Sequence, residues 1–154
     1  MLASNEHDLD LHARQVHARL QEVQQTLHVD VPLYLVLTHA DRLPGFAEYF
    51  DTPEAQAAVG VLGEPLAVGT AGAEMAQVRQ AFEALLQRLS AELITRLHQE
   101  RHVERRARML DLPPQAAQMG ERLCAFIETA FRAHRAPRIN GLRGFYLTCA
   151  GDVR

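Results

Sequence analysis

The sequence predicts an α/β fold: a partial, open parallel sheet in a helix-rich chain with long amphipathic helices. Three observations predict it. Two short apolar runs, residues 32–38 and 142–150, read as strands. Between them lie long stretches whose apolar residues recur at helical spacing. The resulting order of helix, strand, several helices and strand is that of half an open α/β sheet joined by a helical crossover.

Residues 8–28 form the first predicted helix. Leu9, Ala13, Val16, Leu20, Val23 and Leu27 fall on one face at steps of four and three, while Arg14, Arg19, Gln21, Glu22 and Gln24 fall elsewhere. The run Pro32-Leu33-Tyr34-Leu35-Val36-Leu37-Thr38 follows. A continuous apolar run of this length after a proline predicts a strand buried on both faces. It stops at the polar His39-Ala40-Asp41-Arg42, and Leu43-Pro44-Gly45 marks a turn. Residues 51–72 are rich in Gly, Pro and Ala and predict a flexible loop.

Residues 73–110 contain no Gly or Pro and carry the stripe Met75, Val78, Phe82, Leu85, Leu89, Leu93 and Leu97. Unbroken, that helix is about 55 Å long, so it is expected to kink or to project its charged end. Asp111-Leu112-Pro113-Pro114 is expected to stop it and to start another helix over 114–134. That helix is expected to bury Met119, Leu123, Phe126, Ile127 and Phe131. Residues 142–150 supply the second strand. Two parallel strands make a poor sheet. The chain is therefore expected to be one domain, 1–154, incomplete on its N-terminal side or covered along an edge by a partner.

Composition excludes several functions. A 47% hydrophobic fraction suits a globular chain, and a net charge of −3 argues against a nucleic-acid binder. No apolar run approaches the ~20 residues that span a bilayer, so no direct membrane insertion is expected. Cys124 and Cys149 are expected to be buried thiols in a reducing, cytoplasmic setting. All sixteen basic residues are arginine. Without lysine there is neither a Walker A loop nor a Schiff-base enzyme in these residues. Gly69-Thr70-Ala71-Gly72 looks like a phosphate loop but lacks that lysine and its spacing. There is no GxSxG, and the only serines are Ser4 and Ser90. No catalytic residue is assigned, and the chain is expected not to be an enzyme.

Two strand ends remain as a candidate base-recognition site. Open α/β folds bind ligands beyond the carboxyl ends of their strands. Thr38-His39-Ala40-Asp41 occupies the position of a nucleotide switch's [N/T]KxD motif, with His39 in place of the lysine. The alternative is that Asp41 only caps the turn before Pro44. Thr148-Cys149-Ala150 loosely fits the SA-type turn that contacts a base. His98 and His102, four apart, could share a helix face, but Gln99 stands where a zincin has glutamate, and no metal is expected. Arg101, Arg105, Arg106 and Arg108 form a basic cluster that could meet a protein partner. The competing account is a solvated helix with i, i+4 pairs Glu92–Arg96 and Glu104–Arg108.

Ordered blocks along nearly the whole chain also resemble the TssM/IcmF family of type VI secretion. They are Arg19 to Glu22, Val31 to Thr38, Asp41 to Phe50, Arg88-Leu89, Arg96 to Arg101 and Leu142 to Thr148. The TxxDxxPGFxExF-like run at 38–50 is the most specific. The resemblance implies part of a cytoplasmic, P-loop NTPase-like domain within an inner-membrane scaffold protein. It implies a role in docking baseplate and membrane-complex subunits. GTP or ATP is implied only if upstream sequence supplies the phosphate loop. His39 and the turn Thr148-Cys149-Ala150 depart from the family pattern, as does the shortened segment after Phe50.

Overall fold

A computed structural model describes residues 5–28, 31–66, 73–132, 138–139 and 141–149. Helix α1 spans Glu6–Leu27 and leads into strand β1, Leu33–Leu37. A 3-10 turn at Ala40–Arg42 precedes the short helices α2, Phe46–Tyr49, and α3, Pro53–Val59. Strands β2, Gly63–Pro65, and β3, Ala73–Glu74, come next. Helices α4, Met75–Gln99, and α5, Val103–Ala130, form the bulk of the molecule, and β4, Arg138–Ile139, and β5, Leu142–Leu147, close it.

The predicted parallel pairing is present. β1 runs parallel to β5, with Tyr34 opposite Gly144, Val36 opposite Tyr146 and Leu37 opposite Leu147. The sheet is mixed rather than parallel throughout, because β2 adds antiparallel on the other side of β5, giving the order β1-β5-β2. β3 and β4 form a separate antiparallel pair.

Burial on both faces of β1 is not observed. Its exposure alternates, with Tyr34 58% and Val36 52% exposed, while Leu35 and Leu37 turn to the core. Among the described residues the helices pack on one face, where Phe82 stacks on Phe145 with ring centroids 5.6 Å apart. On the other face the Tyr146 ring lies over Gly63 and Gly144 and meets Tyr34 at 6.2 Å. β1 is also an edge of the described sheet.

The helical core follows the predicted stripes. Val78, Phe82, Leu85 and Leu89 of α4 are buried against Met119, Leu123, Phe126 and Ile127 of α5 and its end residue Phe131. α1 packs on α5 through Leu9 and Ala13, and His17 Nδ1 lies 3.1 Å from the Ala130 carbonyl. Val23 and Leu27, at the far end of that stripe, remain exposed.

The expected helix boundary moves. The break falls at residues 100–102, and α5 runs through Pro113 and Pro114 without interruption. The two prolines remove the amides that would donate to the carbonyls of Met109 and Leu110, and they still adopt helical φ. Packing holds the segment together, since Met109, Leu112 and Ala116 are all buried. The 51–72 loop needs correction too. Thr52 caps α3 by accepting from the Ala55 amide at 3.2 Å, Pro53 starts the helix, and β2 follows. Residues 67–72, with the loop-like 69–72 run, lie outside the described residues.

Candidate functional site

The strand ends and the α4–α5 corner carry the residues that sequence reasoning singled out. At the strand ends, parallel pairing places the two candidate turns side by side. The Thr148 amide donates to the Leu37 carbonyl at 2.7 Å, and the Ala40 amide donates to the Thr148 carbonyl at 3.0 Å. Thr38, Asp41, Thr148 and Cys149 are all exposed there, and Ala150 lies outside the described residues. His39, at the position of the motif's lysine, adopts the left-handed conformation with φ 61°. Histidine is among the non-glycine residues enriched in that conformation, and His28 adopts it as well, at the C-cap of α1.

Cys149 is exposed, not buried as expected, whereas Cys124 is buried. The difference is positional: Cys149 follows the end of β5 and Cys124 faces the core from α5. Both thiols are held above their ordinary pKa by desolvation, and for Cys149 the nearby Asp41 carboxylate adds to it. Neither is a poised thiolate.

At the helix corner a charged network ties three segments together. Arg96 is only 7% exposed. Its Nε donates to the Tyr49 carbonyl at 3.1 Å and its Nη2 to Asp51 Oδ1 at 2.7 Å. Its Nη1 donates to Gln99 Oε1 at 3.0 Å and to Thr52 Oγ1 at 3.4 Å. Arg105 reaches the other oxygen of Asp51 and also Glu100 Oε2, the latter at 2.8 Å. Arg108 pairs with Glu48 at 3.0 Å, which lowers the Glu48 pKa. The network borders a cleft of about 320 Å³ lined by Asp51, Thr52, Glu54, Arg96, Gln99 and Glu100.

Glu100 sets the break between the helices. Its Oε1 accepts the His102 amide at 2.9 Å, so it serves the open N-terminus of α5 while its other oxygen holds Arg105. The His102 amide, and then Arg105, lower its pKa to about 2. A carboxyl depressed on folding contributes stability above its unfolded pKa, and that contribution is lost as pH falls through the folded value. The melting temperature is therefore expected to fall between about pH 4.5 and pH 2, and less steeply in Glu100→Gln; equal slopes in the two proteins would refute the assignment.

These pairs revise two sequence expectations. The i, i+4 pairs Glu92–Arg96 and Glu104–Arg108 give way to partners across the fold, Asp51 and Glu48. Of the four clustered arginines, Arg105 and Arg108 are thus engaged internally, while Arg101 and Arg106 are exposed. His98 and His102 do not share a helix face, because α4 ends at Gln99. His98 Nδ1 lies 2.8 Å from the Ile94 carbonyl instead. Among the described residues no group of three or more His, Cys, Asp or Glu is placed to hold a metal ion.

Sequence reasoning missed Arg96 and Asp51 as a pair. The usable signal was Arg96 itself: it sits on the apolar side of α4, seven residues after Leu89, where a charge demands a partner.

The model of the IcmF-related N-terminal domain matches residues 1–153. The chain belongs to this family. This IcmF-related chain is also similar to the type VI secretion system component TssM1 of Pseudomonas aeruginosa, with 34% identity over 151 residues. The match covers 96% of the present chain and 14% of that relative, so the chain spans a small part of its length. No solved structure matches the IcmF-related chain. No helix among its described residues is long and apolar enough to cross a membrane.

Proposed function

We propose that the chain is a cytoplasmic docking module of a type VI secretion membrane complex, belonging to a scaffold protein of the inner membrane. It holds other secretion subunits and performs no chemistry of its own. The observation that carries this reading is the similarity to TssM1 along 96% of the chain. The lack of any lysine supports the absence of phosphate-transfer machinery. The buried Arg96 network supports a rigid support for surface contacts. A two-hybrid or pull-down panel of type VI baseplate and membrane-complex subunits tests it. At least one subunit is expected to bind, and silence across the panel overturns the reading.

A second reading rests on the strand ends. The parallel pairing of β1 and β5 brings Thr38 and Asp41 beside Thr148 and Cys149, as a base-recognition site of a P-loop NTPase-like fold requires. The phosphate loop would then come from other parts of the full-length protein. Titration calorimetry of that full-length protein with GTP and with ATP decides it. Heat that disappears in Asp41→Ala supports the site, and no heat with either nucleotide removes it.

A further inference from the structure

The first half of α5 has two unlike faces. Its inner face is used up. Met109 and Leu112 are buried, the backbone of Gly45 lies against the Arg108 carbonyl, and Arg105 and Arg108 are held by Asp51, Glu100 and Glu48. Its outer face carries Val103, Ala107, Leu110 and Pro114, all exposed, with Val103 at 75% and Leu110 at 52%. Steps of four, three and four place them in one line along the helix, the spacing by which helices pack against each other.

Charge is sorted along that line. Arg106 lies on one flank, and Glu104 and Asp111 lie on the other. None of the three makes an ion pair among the described residues, although their neighbours on the inner side do. Pro114 adds one more feature, because it has no amide to donate to the Leu110 carbonyl. The inner contacts fix the helix, so little ordering is needed when the outer face is covered.

We propose that this outer stripe is the docking seam for an amphipathic helix of another secretion subunit. That helix presents apolar residues at the same spacing, carboxylates toward Arg106 and basic residues toward Glu104 and Asp111. The inference rests on the docking reading above and names its surface. An anionic membrane fits poorly, because one flank is acidic. A second copy of this chain fits poorly too. Three turns with an alanine and a proline among four contact residues fall well short of the ~1,200 Å² of a stable two-body interface. A subunit held at several points of an assembly does not need that area from one seam.

The test uses purified type VI baseplate and membrane-complex subunits with the chain and its variants. A subunit that binds the unmodified chain is expected to bind the double variant Val103→Asp/Leu110→Asp at least tenfold more weakly. It is expected to be weakened by Arg106→Glu and restored when a facing carboxylate of the partner is changed to lysine. Leu11→Asp, on exposed α1 surface, is expected to bind as the unmodified chain does. Circular dichroism melts check that all variants stay folded. Undiminished binding by the double variant overturns the seam and leaves the docking reading standing. No binding by any subunit overturns both. Self-association that Leu110→Asp abolishes assigns the seam to a second copy and overturns the proposed occupant.

Discussion

Gly45→Ala is expected to lower stability by about 2–5 kcal/mol, combining a left-handed backbone penalty with overpacking. Gly45 has φ +80°, a conformation L side chains rarely adopt. A β-carbon there would drive into the Arg108 carbonyl and come within 3.2 Å of the Leu112 amide nitrogen. Both are backbone atoms in the middle of α5, so neither can rotate away. The loss is a large share of the roughly 5–15 kcal/mol that holds a typical domain together. Urea denaturation reads it directly, and a midpoint within error of the unmodified protein would refute the close approach.

Arg96→Leu is expected to cost about 2–4 kcal/mol, toward the lower part of the range for breaking a buried pair. Two facts set the size. Asp51 keeps Arg105 as a partner, which limits the penalty on the carboxylate. The carbonyl of buried Tyr49 loses its guanidinium donor, which adds to it. At about 2–4 °C per kcal/mol for a chain of this size, the melting temperature should drop by about 4–16 °C. Arg96→Lys is expected to recover only part of the loss, because one ammonium cannot span Tyr49, Asp51 and Gln99 as the planar guanidinium does. Full rescue by lysine would mean that charge alone, not the fork, holds the corner.

The sequence was legible where one local signal agreed with the packing. The two parallel strands follow from the order of the elements, and the stripe of α4, the first part of the α1 stripe and the core residues of the second half of α5 follow from spacing. So does the turn at Pro44-Gly45, whose tight fit onto α5 explains a glycine in the most specific run of the chain. Where signals conflicted, the local one lost. Pro113 and Pro114 are the strongest breakers in the chain, yet the helix continues through them because Met109, Leu112 and Ala116 are held from the inner side. The true break at 100–102 depends on where Glu100 can reach both the His102 amide and Arg105, which no periodicity reports.

The candidate sites divide the same way. Adjacency of the two strand ends follows once the strands are known to pair in parallel. The fate of the arginines does not, because Asp51 and Glu48 come from segments 45 to 60 residues earlier in the chain. β2 was invisible for a related reason. Three residues, Gly63-Glu64-Pro65, carry no alternation, and they join the sheet because β5 offers an open side and Gly63 lets the Tyr146 ring lie close.

The place of β5 in the sheet has a consequence for how the protein is made. It is the central strand, yet it is synthesised after the other two. Roughly a hundred residues separate it from β1, so at ordinary translation rates β1 waits about 5–20 s for its partner. During that interval β1, with Tyr34 and Val36, lacks its described partner strand, while the residues of α4 and α5 are already being made. The helical hairpin can thus form before the described sheet, and ribosome-bound chains carrying residues 1–141 followed by a linker long enough to clear the exit tunnel should show helix protection without β1–β5 strand protection in hydrogen exchange.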